Sequence, residues 1–200
     1  MAKLVSNPMI KNVRILQTDL LSDNWYTLNR ITYEFTKNDG SQHINKREVY
    51  DRGNGATILL YNTTNRTVIL TRQFRLPSFI NGNTDGMLIE ACAGLLDKDN
   101  PEDCIRRETE EETGYQVKDV RKILEAYMSP GSVTEILYFF VAEYTKSMKV
   151  TEGGGIEEEQ ENIEVLEMGF DEAMQKINTG EIKDAKTIML LQYAKLNSLF

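Results

Sequence analysis

The chain has 200 residues, 40% of them hydrophobic, and a formal net charge of −8. That length and apolar content allow one domain, or one with an appendage, around a sizeable core, and exclude a disordered polyelectrolyte. The acidic balance argues against bulk attraction to nucleic acid or an anionic membrane, while leaving room for a small anionic substrate where bound cations reverse the local field.

No apolar run approaches the length of a membrane span, and the start "MAKLVSNPMIKNV" lacks the apolar core of an export signal, so the cytoplasm is the expected compartment. Cys92 and Cys104 have no metal-ligand spacing and read as buried thiols. A histidine-based zinc site or a Ser-His-Asp triad would depend on His43, the one histidine, beside an expected turn.

In chain order, residues 11–52 read as strands. Alternation places Ile31, Tyr33 and Phe35 on one face, and Asp39-Gly40 predicts a hairpin turn. "ATILLY" (56–61) and "TVILTRQF" (67–74) are apolar enough for central strands, joined by the polar turn "NTTNR". "SFINGNTDG" reads as a long polar loop and "MLIEACAG" (87–94) as another buried strand or strand-like turn. After an acidic helix come the loop "SPGSVTE", the strand "ILYFFVAEY" and a glycine-rich acidic segment, "TKSMKVTEGGGIEEEQEN", that has the look of a mobile loop. "IEVLEMGF" reads as a last strand, followed by helices near 170–178 and 185–197 separated by Gly180. The expected organisation is a strand-rich N-terminal region, 1–52, and a mixed α/β domain, 53–200.

The acidic helix has explicit ends. Asn100 suits the N-cap, Pro101 the first helical position, and Gly114 the residue just past the end. It packs four glutamates and two arginines into residues 106–112. Glu108, Glu111 and Glu112 share one face, Arg107 can pair with Glu111, and Cys104 and Ile105 point to the core. Like charges at this spacing cost roughly 0.2–0.5 kcal/mol per pair. A solvated charged face tolerates that, while a bound divalent cation turns the repulsion into coordination.

The stretch "GLLDKDNPEDCIRRETEEETGY" (94–115) resembles the Nudix box, with the core Arg107-Glu108-Thr109-Glu110-Glu111-Glu112-Thr113-Gly114-Tyr115. The gap from Gly94 to Arg107 is one residue short, and the glutamate the family carries early in the box is absent, with Asp99 or Asn100 near its place. Pro130, sixteen residues after Gly114, marks the ADP-ribose pyrophosphatase branch. "LSDNWYTL", "KREVYDRGNGATILLYN", "RQFR", "IEACAGLLD", "YMSPGSVTE", "GGGIEEEQENIEVLE" and "TGEIKDAKT" are similar to the GDP-mannose hydrolases of that branch.

The resemblance implies a Nudix α/β/α sandwich with a mixed sheet, an N-terminal antiparallel strand-rich region exchanged across a homodimer, and Mg²⁺-dependent (or Mn²⁺-dependent) cleavage of a nucleoside diphosphate sugar. It implies metal ligation by the main-chain oxygen of Ala93 and by Glu108, Glu111 and Glu112, with a loop acid that also serves as base. Counting forward from Gly153-Gly154-Gly155 picks Glu159 for that acid; counting back from Asn162-Ile163 picks Glu161, the preferred position. Trp25 would stack on the base, or be a core or interface anchor. Lys46, Arg47 and Glu48 would reach the substrate from the other subunit, or be exposed strand charges. Arg75 would bind phosphate, or form a surface ion pair. Gly94 and Leu95 would line the site; Glu135 and Lys186 are also implied, though Lys186 could simply be solvated at the start of the last helix. Rival readings are ADP-ribose or another nucleotide sugar as substrate and, given the missing early glutamate, a non-catalytic nucleotide-binding module. No basic tract offers itself to RNA.

Overall fold

The structure, a computed structural model, describes residues 9–96, 98–156 and 162–200. It divides into two units. One comprises the described residues up to Gly53 together with Tyr127–Glu135; the other comprises Asn54–Ala126 and Ile136–Phe200.

In the first unit, β1 (Ile10–Asp23), β2 (Thr27–Lys37) and β3 (Gln42–Asp51) form an antiparallel sheet in that order. Asp39 makes the β2–β3 turn by accepting from the Ser41 backbone N–H at 2.9 Å. Tyr33 and Phe35 do share a face, their rings stacked 5.8 Å apart. Three register shifts interrupt β1, and its side chains Val13, Ile15, Leu20 and Leu21 are exposed within the chain. Residues 127–135 join this unit through a parallel bridge between Tyr50 and Val133 and a Thr134 hydroxyl bond to Asp51 at 2.9 Å.

The second unit contains β4 (Gly55–Asn62), β5 (Thr67–Phe74), α1 (Leu76–Ile80), β6 (Met87–Glu90), β7 (Ala93–Leu95), α2 (Pro101–Thr113), β8 (Arg121–Tyr127), β9 (Ile136–Glu143), β10 (Glu164–Gly169), α3 (Phe170–Thr179) and α4 (Ala185–Leu196). The sheet runs β10-β5-β4-β9-β8, with β6 beside β5 and β7 beside β4. It is mixed: β4 pairs β9 in parallel and β5 antiparallel. Period-two alternation in "ATILLY" explains how one strand serves two layers. Ala56, Ile58 and Leu60 pack with Cys104 and Ile105 of α2. Thr57 and Leu59, equally buried, point to the opposite face, where α4 packs on β4 with Leu190, Leu191 and Ala194 in the core. The result is the expected α/β/α sandwich. No helix among the described residues is long and apolar enough to cross a membrane.

Two local expectations need correction. The supposed loop after β5 begins with a short helix, Leu76–Ile80, because Pro77 suits a first turn. "MLIEACAG" is two strands, not one. The Cys92 carbonyl accepts from both Ile58 N–H at 3.0 Å and Thr57 Oγ1 at 2.9 Å, which bends the chain off β5 and onto β4.

Helix α2 is fixed at both ends as its sequence predicts. The Asn100 side chain accepts from the N–H groups of Glu102 and Asp103 at 3.1 and 3.0 Å. Gly114 sits in the left-handed region, φ +78°, and donates to Glu110. A Cβ there would lie 2.1 Å from the Thr151 carbonyl oxygen. The following glycines are not loose. Gly154 and Gly155 N–H groups donate to the carbonyls of Glu112 and Glu111 at 2.9 and 3.1 Å, and Ile163 N–H returns to the Gly154 carbonyl at 3.2 Å.

Asn100→Ala removes two cap bonds and is expected to cost about 1 kcal/mol. Gly114→Ala meets both a left-handed backbone and a carbonyl collision, and should cost more than about 2 kcal/mol. Thermal unfolding should therefore show a drop of about 2–4 °C for the first and clearly more for the second. Equal melting temperatures would contradict the assigned helix ends.

Candidate active site

Strand β7 runs along one stripe of α2, and each of its residues meets one residue of that stripe. The Ala93 N–H donates to Glu112 Oε2 at 3.3 Å. Gly94 lies so close to Glu108 that a Cβ would sit 2.1 Å from its Cδ. The Cys104 thiol donates to the Leu95 carbonyl at 3.2 Å. Positions 104, 108 and 112 are four apart and therefore stack on one helix face. This explains why glycine stands at 94: the Glu108 carboxylate fills the space a side chain would take.

Glu112 is buried, at 2% exposure, while Glu108 and Glu111 are partly open. Arg107 offsets their charge, reaching Glu108 Oε1 and Glu111 Oε2 at 3.0 Å each and Asp99 at 3.6 Å. The expected Arg107–Glu111 pair is thus present within a wider cluster. Cys92 lies beneath it. Burial pushes its thiol well up, and the negative field of Glu112 and Glu108 adds to this, so it stays protonated and offers no thiolate. His43 belongs to the N-terminal unit, hydrogen-bonds Ser41 at 2.9 Å and stacks on Phe35.

Apart from the Cys104 thiol, which is turned to the Leu95 carbonyl, the donors along the stripe are carboxylates and a backbone segment, a hard oxygen set that suits a divalent cation such as Mg²⁺. Among the described residues no three carboxylate, thiol or imidazole groups already close around one point. Mg²⁺ sites commonly use one or two carboxylates, with water and substrate phosphate supplying the rest.

Arg75 and Lys186, expected at phosphate, do come together, and on a residue the sequence reasoning missed. Arg75, at the start of α1, makes a two-pronged bond to Glu90, Nε to Oε1 at 3.0 Å and Nη2 to Oε2 at 2.9 Å. Lys186 Nζ reaches Glu90 Oε2 at 2.8 Å and Asp184 at 3.1 Å. Lys186 is not a solvated helix-end lysine: its side chain is only 12% exposed. Burial pushes the Glu90 carboxyl up, but the Arg75 hydrogen bond and the Lys186 charge outweigh it and hold the group below the ordinary carboxylate value. A lone acid inside the apolar run "MLIEACAG" was the available signal, since a charge there needs partners.

Trp25, Lys46, Arg47, Glu48 and Glu135 lie in the N-terminal unit. Trp25 is 85% exposed in the β1–β2 turn, 6.0 Å from the Tyr26 ring, which removes the reading of a core anchor within this chain. Lys46, Arg47 and Glu48 are exposed on β3, and the pleat sets Arg47 on the face opposite Lys46 and Glu48. Glu135 pairs with Arg52 at 3.7 Å. Glu159 and Glu161 lie outside the described residues.

The family model described as the GDP-mannose pyrophosphatase NudK N-terminal domain matches residues 12–50, and the NUDIX domain model matches residues 51–191. A relative from Salmonella arizonae named GDP-mannose pyrophosphatase is 56% identical over 191 residues, 96% of this chain and 99% of the relative. One of the same name from Escherichia coli (strain K12) is 55% identical over the same shares. A solved structure titled as an ADP compounds hydrolase superposes with a TM-score of 0.68 at 17% identity, covering 96% of this chain and 98% of its own, and shares the fold. With carboxylates seated against the β7 backbone, a matching domain model over most of its length and close relatives along 96% of it, the chain belongs to the Nudix hydrolase family, whose members generally use divalent metal ions.

Proposed function

We propose that the chain hydrolyses the pyrophosphate bond of a nucleoside diphosphate sugar, with GDP-mannose the first choice and GMP and mannose 1-phosphate the products. The observation that carries this is the seating of Glu108 and Glu112 against Gly94 and Ala93, a prearranged carboxylate pair of which Glu112 is buried and Glu108 partly open. The relatives' name, shared along 96% of the chain, supports the sugar nucleotide.

Glu108 and Glu112, with Glu111 and the main-chain oxygen of Ala93, would hold Mg²⁺, or Mn²⁺ in its place. The bound ion supplies neutralisation of the diphosphate charge and a lowered pKa for a coordinated water. Arg75 and Lys186 hold phosphate oxygens, a task for which the forked guanidinium is well shaped. Glu161, or Glu159, takes the proton of the attacking water. Gly94 and Leu95 line the site. Trp25 offers a flat exposed ring to the base, and Glu135 contributes a further polar contact. Lys46, Arg47 and Glu48 act from the partner subunit of a homodimer. The exposure of the apolar side chains Val13, Ile15, Leu20 and Leu21 along β1 supports that assembly, because a partner would cover them. The working compartment is the cytoplasm, and neither nucleic acid nor membrane is a partner.

Glu108→Gln and Glu112→Gln keep the shape and remove the charge. Each is expected to lower kcat more than about 100-fold with the melting temperature within a few degrees of wild type; wild-type turnover in either would take that residue out of the site. EDTA should abolish hydrolysis and added Mg²⁺ restore it. Gly94→Ala forces Glu108 from its seat, so the Mg²⁺ concentration for half-maximal rate should rise about tenfold or more. In a panel of GDP-mannose, ADP-ribose and other nucleotide sugars assayed with Mg²⁺, GMP should appear fastest. Faster AMP release from ADP-ribose would reassign the substrate. Tight binding of GDP-mannose without product at saturating Mg²⁺ would instead show a binding module.

A further inference from the structure

Glu90 ends β6 three residues before Ala93, and a buried carboxylate at that place is unfavourable unless its charge and its lone pairs are both matched. An amide or an apolar side chain would fill the same space with less desolvation. The chain instead brings two long cations to it from distant elements: Arg75 from the start of α1 and Lys186 from the first turn of α4. The lysine is held from its far side as well, by Asp184 at 3.1 Å. Asp184 is in turn fixed, accepting from Thr187 N–H at 3.0 Å and from Thr187 Oγ1, while Thr187 Oγ1 accepts from Ala91 N–H at 2.6 Å. The lysine therefore sits in a frame that includes the backbone of the β6–β7 bend.

The bonds to Arg75 are asymmetric in a useful way. Glu90 occupies the Nε–Nη2 edge and leaves the Nη1 edge of the guanidinium for another acceptor. The carboxylate is buried while the arginine side chain is 43% exposed. A long side chain normally loses rotamer freedom when it captures a ligand; one held in advance does not.

We propose that Glu90 is a positioning residue for hydrolysis: it holds the Arg75 guanidinium and the Lys186 ammonium as a preset pair of donors for the phosphate oxygens of the substrate. This rests on reading Arg75 and Lys186 as phosphate binders. Glu90 itself touches neither the substrate nor a metal ion in this role; it acts through the two cations.

The test is steady-state kinetics with GDP-mannose and Mg²⁺, together with thermal unfolding, on Glu90→Gln, on Arg75→Ala and Lys186→Ala, and on Glu90→Gln placed in the Arg75→Ala, Lys186→Ala background. Glu90→Gln is expected to raise KM about tenfold with kcat within about threefold of wild type. Each cation variant should raise KM too. In the background lacking both cations, Glu90→Gln should add less than about twofold, since it has nothing left to position. A purely structural Glu90 would lower the melting temperature and leave KM at the wild-type value, and that result overturns the inference. So does a KM effect that multiplies undiminished with the cation losses. Wild-type KM in both Arg75→Ala and Lys186→Ala would instead remove the reading of these cations as phosphate binders, and the positioning role with it. Should Glu90→Gln fail to fold, Glu90→Asp keeps the charge and retracts it by one methylene; an unchanged KM in that variant is again decisive against the proposal.

Discussion

The contact between β7 and α2 is the constraint on which the site depends. A helix of this charge has no intrinsic reason to lie against a sheet, and its apolar contribution is small: Cys104 and Ile105 are its buried hydrophobes. What holds its acidic stripe in place is close approach of backbone to side chain, with Ala93, Gly94 and Leu95 meeting Glu112, Glu108 and Cys104 in turn. That approach needs a residue without a Cβ at 94. It also needs the bend at Cys92, which carries the chain from β5 to β4 and so delivers three consecutive residues to the helix.

The same bend links the carboxylates to the cations. On one side of it lies the Glu108–Glu112 pair; on the other, Glu90 with Arg75 and Lys186. Charged groups are thus collected at both ends of a five-residue span, Glu90 to Gly94, and the Glu112 carboxylate acts on the Arg75 guanidinium across it. A pyrophosphate is a linear array of negative charge that has to be met by cations, both bound and built in. A short segment with carboxylates for metal ions on one flank and the Arg75 and Lys186 donors, held by carboxylates of their own, on the other suits that need, because electrostatic catalysis depends on groups being placed before the reaction begins.

Much of this was legible in the residues themselves. The helix was readable because its start, its stop and its face are encoded locally, by Asn100-Pro101, by Gly114 and by four-residue spacing. The central strands were readable because short, strongly apolar runs such as "ATILLY" and "TVILTRQF" are a local signal. The Glu90 network was not, since Lys186 lies 96 residues along the chain from its partner and no local rule distinguishes a solvated lysine from a buried one. The split of "MLIEACAG" escaped for a similar reason: it depends on Thr57 and Ile58 pulling on one carbonyl. The order of the sheet and the joining of residues 127–135 to the N-terminal unit are likewise products of long-range pairing. The role of Trp25 follows from neither source alone, since exposure removes one reading and leaves stacking and interface anchoring.

The glycines at 154 and 155 carry one more implication. Gly154 and Gly155 are fastened to the carbonyls that end α2, and Ile163 is fastened back to Gly154, so the chain is tied on both sides of residues 157–161. Between two tied points, a longer chain adds only the slowly growing entropy of a larger ring. A change of length between those points is therefore expected to leave the sheet, the helix and their mutual alignment in place. Chain length can thereby set the reach of the proposed base, Glu161 or Glu159, independently of the elements that flank it.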